Sequence, residues 1–542
     1  MGLESQQMQG TNGRFRRILI FFGLTILQII VVDLFLTRIP ILGGQIRATR
    51  PRRLRNFARN FRQLAIEMGG VMIKLGQFLS SRVDVLPAEI TDELLDLQDE
   101  VPPVPTPLMF TILAQELGDW RSKFAAIDEE PLAAASLGQA YRAWLPAADG
   151  SAELGETVVI KVQRPNIEET VRIDLAALQV VAHWLMRYRP IARRANIPQL
   201  MDEFAVTLWD ELDYESEADN AERFQAMYAE NPAIQIPHVY RELSTKRVIV
   251  LEDVTAIKLT DSAAMEAAGI DPHRVADLLL DVYFRQVFIE AFFHADPHPG
   301  NLFVKPMGEN KGDGKRPFRL VFIDFGMVGH VPDLVGENLS IVLISVTQRD
   351  SYRLTQAYQN LGFFLPGADL ERITEAQAVL LDRIWGRNLL ELANPDPDEL
   401  HELGKEFRDV FYEFPFQIPQ DFIYLGRAIG MVSGLVSLLN PEINPWYHLE
   451  KFGEELVKSQ GGRAWSKTLV LEVLRPYLQI PSQLTSVLTN LERGTLKVHT
   501  VADHETTRRL NRMDKKIGQL SWSILGAAGI ISATLVYLKK KE

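Results

Sequence analysis

His294 to Asn301 reads HADPHPGN and Val321 to Gly326 reads VFIDFG, and these two stretches decide the fold. Asp296 and Asn301 are separated by four residues. Phosphoryl transfer needs such a pair: a carboxylate to orient the acceptor and an oxygen ligand for a metal ion, held in fixed relation. Pro297 and Pro299 deny the segment a helix, so it must be a loop. The apolar run Leu302 to Val304 pins its far end. In the second stretch an apolar strand delivers Asp324 to its end, and Gly326 frees the backbone to turn. Asp-Phe-Gly alone recurs by chance. About twenty residues after a D-x-x-x-x-N loop it marks a nucleotide-metal site, with Asn301 and Asp324 as the magnesium ligands. A zinc site on His294, Asp296 and His298 would want a helix that the prolines remove. His294 is expected to pack and hydrogen-bond beneath the loop.

Upstream, Val158-Val-Ile-Lys161-Val162 reads as a strand with Lys161 on one face and Ile160 and Val162 on the other. A lysine in an apolar strand needs an anionic partner, because burying it unpaired is costly. Kinases use such a lysine to meet the α- and β-phosphates of ATP and a glutamate from the neighbouring helix. Among the acids from Glu211 to Asp219, Glu217 is the expected partner. Glu211 and Asp213 should lie about a turn and a half before it. The turn Ala133-Ala134-Ala135-Ser136-Leu-Gly138 stands where kinases carry a glycine-rich phosphate loop. Alanine lacks positive-φ freedom, so this loop should be stiffer, and it is expected to be exposed. Glu252, closing the run RVIVLED, completes the set expected to hold ATP or ADP.

Further outward, QAYRAWL and ETVVIKVQR read as strands, and PHVYREL with RVIVLED as a hairpin. VADLLLDVYFRQVFIEAFF is apolar almost all round and reads as one buried helix. A small β-rich unit with one helix therefore precedes a larger helical unit, with a polar loop between them. That is an α+β, two-lobed protein-kinase-like layout. The boundaries fall at 1–60 for a basic arm with an apolar segment, 61–130 for a helical extension, 131–255 and 256–460 for the two lobes, and 461–516 for a helical C-terminal region.

The ends suggest a membrane. Leu520 to Leu538 carries no charge, with Trp522 and Tyr537 near its two ends and three lysines after it, so 517–542 reads as a transmembrane anchor. From Met1 to Gln63 there are eleven arginines against Glu4 and Asp33, on a chain whose net charge is −12. A basic arm on an acidic protein points to an anionic surface, and the apolar run Ile18 to Val32 makes that surface a membrane. That run is short for a span and reads as an interfacial helix. The negative total argues against nucleic acid, and the absence of cysteine excludes disulfides and thiolate chemistry and fits a reducing, cytoplasmic side.

Lys74-Leu-Gly76-Gln77 in the extension, the alanine-rich loop, Glu211-Leu-Asp213 with Glu217, and the HADPHPGN and DFG segments together resemble the UbiB/ADCK family of atypical protein kinase-like proteins. The resemblance spans roughly residues 60 to 440. It implies an extension lying across the active site, in which Lys74 and Gln77 occlude the place where a protein substrate docks and Glu211 and Asp213 hold them. It further implies ATP binding or hydrolysis with magnesium at a membrane, in support of isoprenoid-quinone biosynthesis, with quinone precursors and biosynthetic-complex proteins as partners. The competing readings are a small-molecule kinase of the aminoglycoside-phosphotransferase type, which needs neither the extension nor the anchor, and a non-catalytic lipid-binding scaffold that keeps a nucleotide pocket.

Overall fold

The structure is a computed structural model describing residues 2–35, 48–80, 86–95, 97, 101–147, 154–188, 196–254, 256–310, 315–365, 367–388, 391–392, 396–407 and 421–458. The C-terminal segment read as an anchor lies outside the described residues.

Strands β1 (Ala126–Ile127), β2 (Ala133–Ala134), β3 (Gly138–Pro146) and β4 (Leu154–Gln163) come first. β5 (Ile234–Gln235), β6 (Val248–Glu252), β7 (Ile257–Lys258) and β8 (Phe292–His294) follow after helices. β9 (Leu302–Pro306), β10 (Phe318–Phe322) and β11 (Val328–His330) complete the series. The small-lobe sheet runs β1-β3-β4-β6, with β2 beside β3. Alternation along β4 buries Val158, Ile160 and Val162 and turns Lys161 to the other face. Register sets Lys161 opposite Ala140 and Ile249. In the larger lobe β9 and β10 pair antiparallel, so the loop carrying Asp296 and the one carrying Asp324 leave neighbouring strands.

Helices α1 (Gly2–Ile29), α2 (Arg50–Met68), α3 (Val71–Ser80), α4 (Ala88–Leu95) and α5 (Thr106–Leu117) precede the sheet. α6 (Ile167–Met186), α7 (Ile197–Asp210) and α8 (Tyr214–Met227) lie between β4 and β5. The larger lobe uses α9 (Pro272–Arg285), α10 (Asp333–Thr347), α11 (Ser351–Asn360), α12 (Leu370–Ile384), α13 (Pro397–Glu406), α14 (Asp421–Leu439) and α15 (Pro445–Lys458).

The extension has a core of its own. Phe61, Val71, Leu75, Leu175 and Phe204 are buried together, joining α2 and α3 to α6 and α7. α2 stops at Gly69, whose φ of 62° a side chain would resist. Gly76 is there for closeness: a Cβ on it would fall 2.3 Å from the Leu97 side chain. Within the segment read as a basic arm, part of the described N-terminal helix packs on α2. Phe21 stacks on Phe57 at 6.0 Å, and Ile18 is fully buried.

Two expectations change. PHVYREL forms no hairpin strand. It meets β6 only at the bridge Val239–Leu251 and then coils into a short 3₁₀ turn, Arg241–Leu243, where Arg241 pairs with Glu222. The long apolar helix ends at Arg285. A π turn, Gln286–Glu290, and Ala291 at φ 49° swing the chain into β8, and the buried Gln286 side-chain oxygen accepts from His294 N–H. Continuous apolarity could not reveal that break, because both the helix and the strand that replaces it are buried.

Candidate active site

Lys161 Nζ lies 3.0 and 2.9 Å from the two oxygens of Glu217. It also lies 3.4 Å from Asp324 Oδ2. Three elements make this meeting: β4 supplies the lysine, α8 the glutamate, and the turn after β10 the aspartate. α8 is held over that turn by apolar and polar contacts. Phe224 packs 5.0 Å from Phe325, and Asn220 donates to Phe325 O at 3.0 Å.

Charge follows from this geometry. Burial disfavours the Lys161 ammonium, but Asp324 and Glu217 outweigh it and hold its pKa well above the ordinary value. Burial likewise pushes the Glu217 carboxyl up to about 7, against the pull of Lys161. Asp324 would also rise on burial, yet Lys161, Lys74 and His294 together keep it below its usual range. Its backbone φ of 60° is a strained, left-handed conformation for an aspartate, of the kind found at functional sites.

The raised Glu217 carboxyl makes a prediction. The native state holds this proton more tightly than the unfolded chain, so the group's stabilisation is full below 4.5 and is lost as pH rises through about 7. Glu217→Gln removes that loss. The melting temperature of the variant relative to the unmodified protein should therefore climb with pH across this window in thermal unfolding. A flat difference would show that Glu217 does not titrate there.

Beneath the catalytic loop, His294 is fully buried. Its Nε2 bonds Ile323 O at 3.2 Å, and its Nδ1 accepts from Asp296 N–H at 3.3 Å. Both ring nitrogens thus tie the two loops together, and burial lowers its pKa, favouring the neutral ring. Asn301 Nδ2 donates to Asp296 O at 3.1 Å, so the amide's oxygen is not used in that bond. Asn301 Oδ1 and the Asp324 carboxylate are hard oxygen donors, a set that fits magnesium.

The sequence-predicted extension residues divide. Lys74 Nζ lies 2.9 Å from Glu211 Oε2. Gln77 donates instead to Leu97 O at 3.3 Å, within the extension. Glu211 and Asp213 do not share a helix with Glu217, since α7 has already ended at Asp210. Asp213 is the N-cap of α8 and accepts from Ser216 N–H, so it starts the helix that presents Glu217. In the alanine loop, Ala133 is exposed and paired with Ala140 as a strand, while Ser136 and Gly138 are buried. The expectation of an exposed loop holds only for its first part. Val101 N–H bonds Ala134 O and Arg164 bonds Ala135 O, which brace the loop on its carbonyl side. The Glu252 carboxylate accepts from Gln235 and from His238 N–H.

Sequence reasoning missed one residue. Arg427 on α14 donates to Asp296 Oδ1 at 2.8 Å. It helps line a cavity, about 30 Å³ in volume, with Lys74, Phe204, Glu211, Met327 and Tyr424. α3, α7 and α14 thus meet at a small, partly open cavity beside Arg427, which caps one oxygen of Asp296.

A lysine–glutamate pair beside an Asp-Phe-Gly turn and an Asp–Asn loop, divided between two lobes, defines a kinase-like nucleotide site. The family model for the ABC1 atypical kinase-like domain matches residues 96–358. An uncharacterized protein of Synechocystis sp. is 30% identical over 524 residues, covering 94% of this chain and 88% of its own. Arabidopsis thaliana Activity of BC1 Complex Kinase 8, chloroplastic, is 30% identical over 537 residues, covering 92% and 68%. A solved complex of Rv3197 with erythromycin, from Mycobacterium tuberculosis, aligns with a TM-score of 0.46 at 22% identity, covering 73% of this chain and 95% of that one. The chain belongs to the ABC1/UbiB family of atypical kinase-like proteins.

Proposed function

We propose that this chain binds ATP with magnesium and acts as an atypical ATPase or kinase at a membrane, in support of isoprenoid-quinone lipid biosynthesis. The observation that carries the reading is Lys161 held between Glu217 and Asp324. Lys161 would meet the α- and β-phosphates, and Asn301 with Asp324 would hold magnesium, which would supply charge neutralisation for the transferred phosphoryl group. Asp296 orients the attacking hydroxyl or water once Arg427 gives way. The quinone role rests on family membership. The membrane reading rests on the basic, apolar N-terminal part and on Leu520 to Leu538 as an anchor, with the kinase-like lobes on the reducing side.

ATP turnover by the purified protein tests this, with and without liposomes and quinone precursors, with products analysed for transferred phosphate. Stimulation by precursor-loaded liposomes supports the reading. Turnover indifferent to both would remove the membrane and quinone parts.

The extension is read as a restraint on that activity. Lys74→Ala frees the acceptor side from the Lys74–Glu211 pair, and Ala133→Gly loosens β2. Each is expected to raise ATP turnover or self-phosphorylation about tenfold, equivalent to ~1.4 kcal/mol of barrier. Asp296→Asn should abolish both gains. If neither variant changes either readout, the extension is structural.

A further inference from the structure

α1 has two faces. On one, Arg14 forks onto Asp174 of α6 at 2.7 and 2.6 Å, and Phe21 and Phe22 pack on Phe61 of α2. On the other, Ile20, Leu24 and Leu27, continued by Val31 in the π-helical turn Ile30–Phe35 that follows, are 55%, 63%, 56% and 43% exposed. Their spacing of four, three and four residues is one helical stripe, exposed among the described residues. Gly13–Val32 is long and apolar enough to cross a bilayer, with mean hydropathy 2.1. Crossing would require leaving a buried ion pair and an aromatic seam, whereas lying flat needs neither.

The stripe has a charged border. Arg17 pairs with Glu67, while Phe21 meets Phe57, so α1 and α2 run antiparallel. This brings the start of α2, with exposed Arg50, Arg52 and Arg55, toward the Leu27–Val31 end. Between Asp33 and Glu67 the sequence holds eight arginines and no acid. An apolar stripe bordered by arginines on an otherwise acidic chain is complementary to one surface, an anionic bilayer.

Arg14 does a second thing. It also donates to Met68 O at 2.8 Å, at the end of α2. The next turn, Gly69 and Gly70, lies near the alanine loop: a Cβ added at Gly70 would stand 3.7 Å from Ser136 O. Lys74 follows one helical turn later. The helix bearing the stripe is thus bonded to the point where the restraining helix begins.

We propose that the outer face of α1 and the basic start of α2 form an interfacial docking surface for an anionic bilayer, and that Arg14 links this surface to the turn carrying α3 and Lys74. The inference deepens the membrane reading above and rests on it. It adds a surface distinct from the C-terminal segment, and a route from lipid to the active-site cover.

Partitioning of the full chain onto phosphatidylcholine vesicles, with or without phosphatidylglycerol, tests the surface. Three proteins are compared: the unmodified chain, Leu24→Gln/Leu27→Gln, and Arg50→Gln/Arg52→Gln/Arg55→Gln. These positions are exposed, and unchanged circular dichroism confirms that each variant is folded. Phosphatidylglycerol should strengthen binding of the unmodified chain, and either variant should lose that gain by on the order of tenfold. In the same samples, hydrogen exchange across residues 71–80 should change on adding phosphatidylglycerol vesicles to the unmodified chain, and not in the variants. Binding to both vesicle types with no phosphatidylglycerol gain overturns the inference and leaves the membrane reading standing. No binding to either overturns both. A gain that the variants keep overturns the surface, and unchanged exchange in the unmodified chain overturns the link.

Discussion

Asp324→Asn is expected to lower magnesium-dependent nucleotide affinity by on the order of a hundredfold or more. Loss of an outer-shell partner of a metal typically costs 10–100-fold, and this change removes charge from a proposed ligand itself. The amide keeps an oxygen but not the carboxylate's charge. It also removes one of the two acids around Lys161, so the ammonium is left to Glu217 alone. The fold should survive, because Asp324 is partly exposed and Phe325, which anchors the turn, is untouched. Calorimetric titration with ATP, in magnesium and in chelator, measures the effect. The chelator titration should differ little between variant and parent, which assigns the loss to the metal.

Arg14→Ala should be the most damaging of the changes away from the nucleotide site. Asp174 is fully buried and Arg14 is its partner across α1 and α6. Breaking a buried pair from one side typically costs about 3–5 kcal/mol, since the remaining charge keeps its desolvation cost and loses its counter-ion. Burial already raises the Asp174 carboxyl, and Arg14 opposes that rise. Without Arg14 the carboxyl rises further and takes up a proton, which relieves the cost at low pH. The destabilisation measured by urea unfolding should therefore grow as pH rises. Arg14→Ala combined with Asp174→Leu should recover much of it, because an apolar replacement of both partners leaves no buried charge.

The residues that meet around Lys161, and the loop carrying Asp296, were legible because each is announced by its own neighbours. Prolines force the Asp296 loop, alternation turns Lys161 out of the small-lobe core, and a strand ending in Asp-Phe-Gly positions Asp324. Glu217 could be chosen among its acidic neighbours, and it is the one that meets Lys161. The arginines that make long-range pairs carried no such local mark. Arg427 meets Asp296 across 131 positions, and Arg14 meets Asp174 across 160. Each is one arginine on a helix of ordinary pattern, and no period or spacing in the chain ties it to its partner. Asp213 was legible as a functional acid but not as a cap, since the break between α7 and α8 lies in Glu211-Leu-Asp213, where no proline or glycine marks it. The π turn after α9 was hidden because a buried helix and a buried strand are equally apolar.

Phosphoryl transfer at this centre, rather than nucleotide binding alone, is the proposal on which the function rests. Single-turnover cleavage of γ-labelled ATP by the purified full chain in magnesium, beside Asp296→Asn, tests it most directly. ADP should form with label on phosphate or on an acceptor, and Asp296→Asn should lose that product while keeping its nucleotide affinity. Tight nucleotide binding with no cleavage by the unmodified protein, or cleavage undiminished in Asp296→Asn, would contradict it.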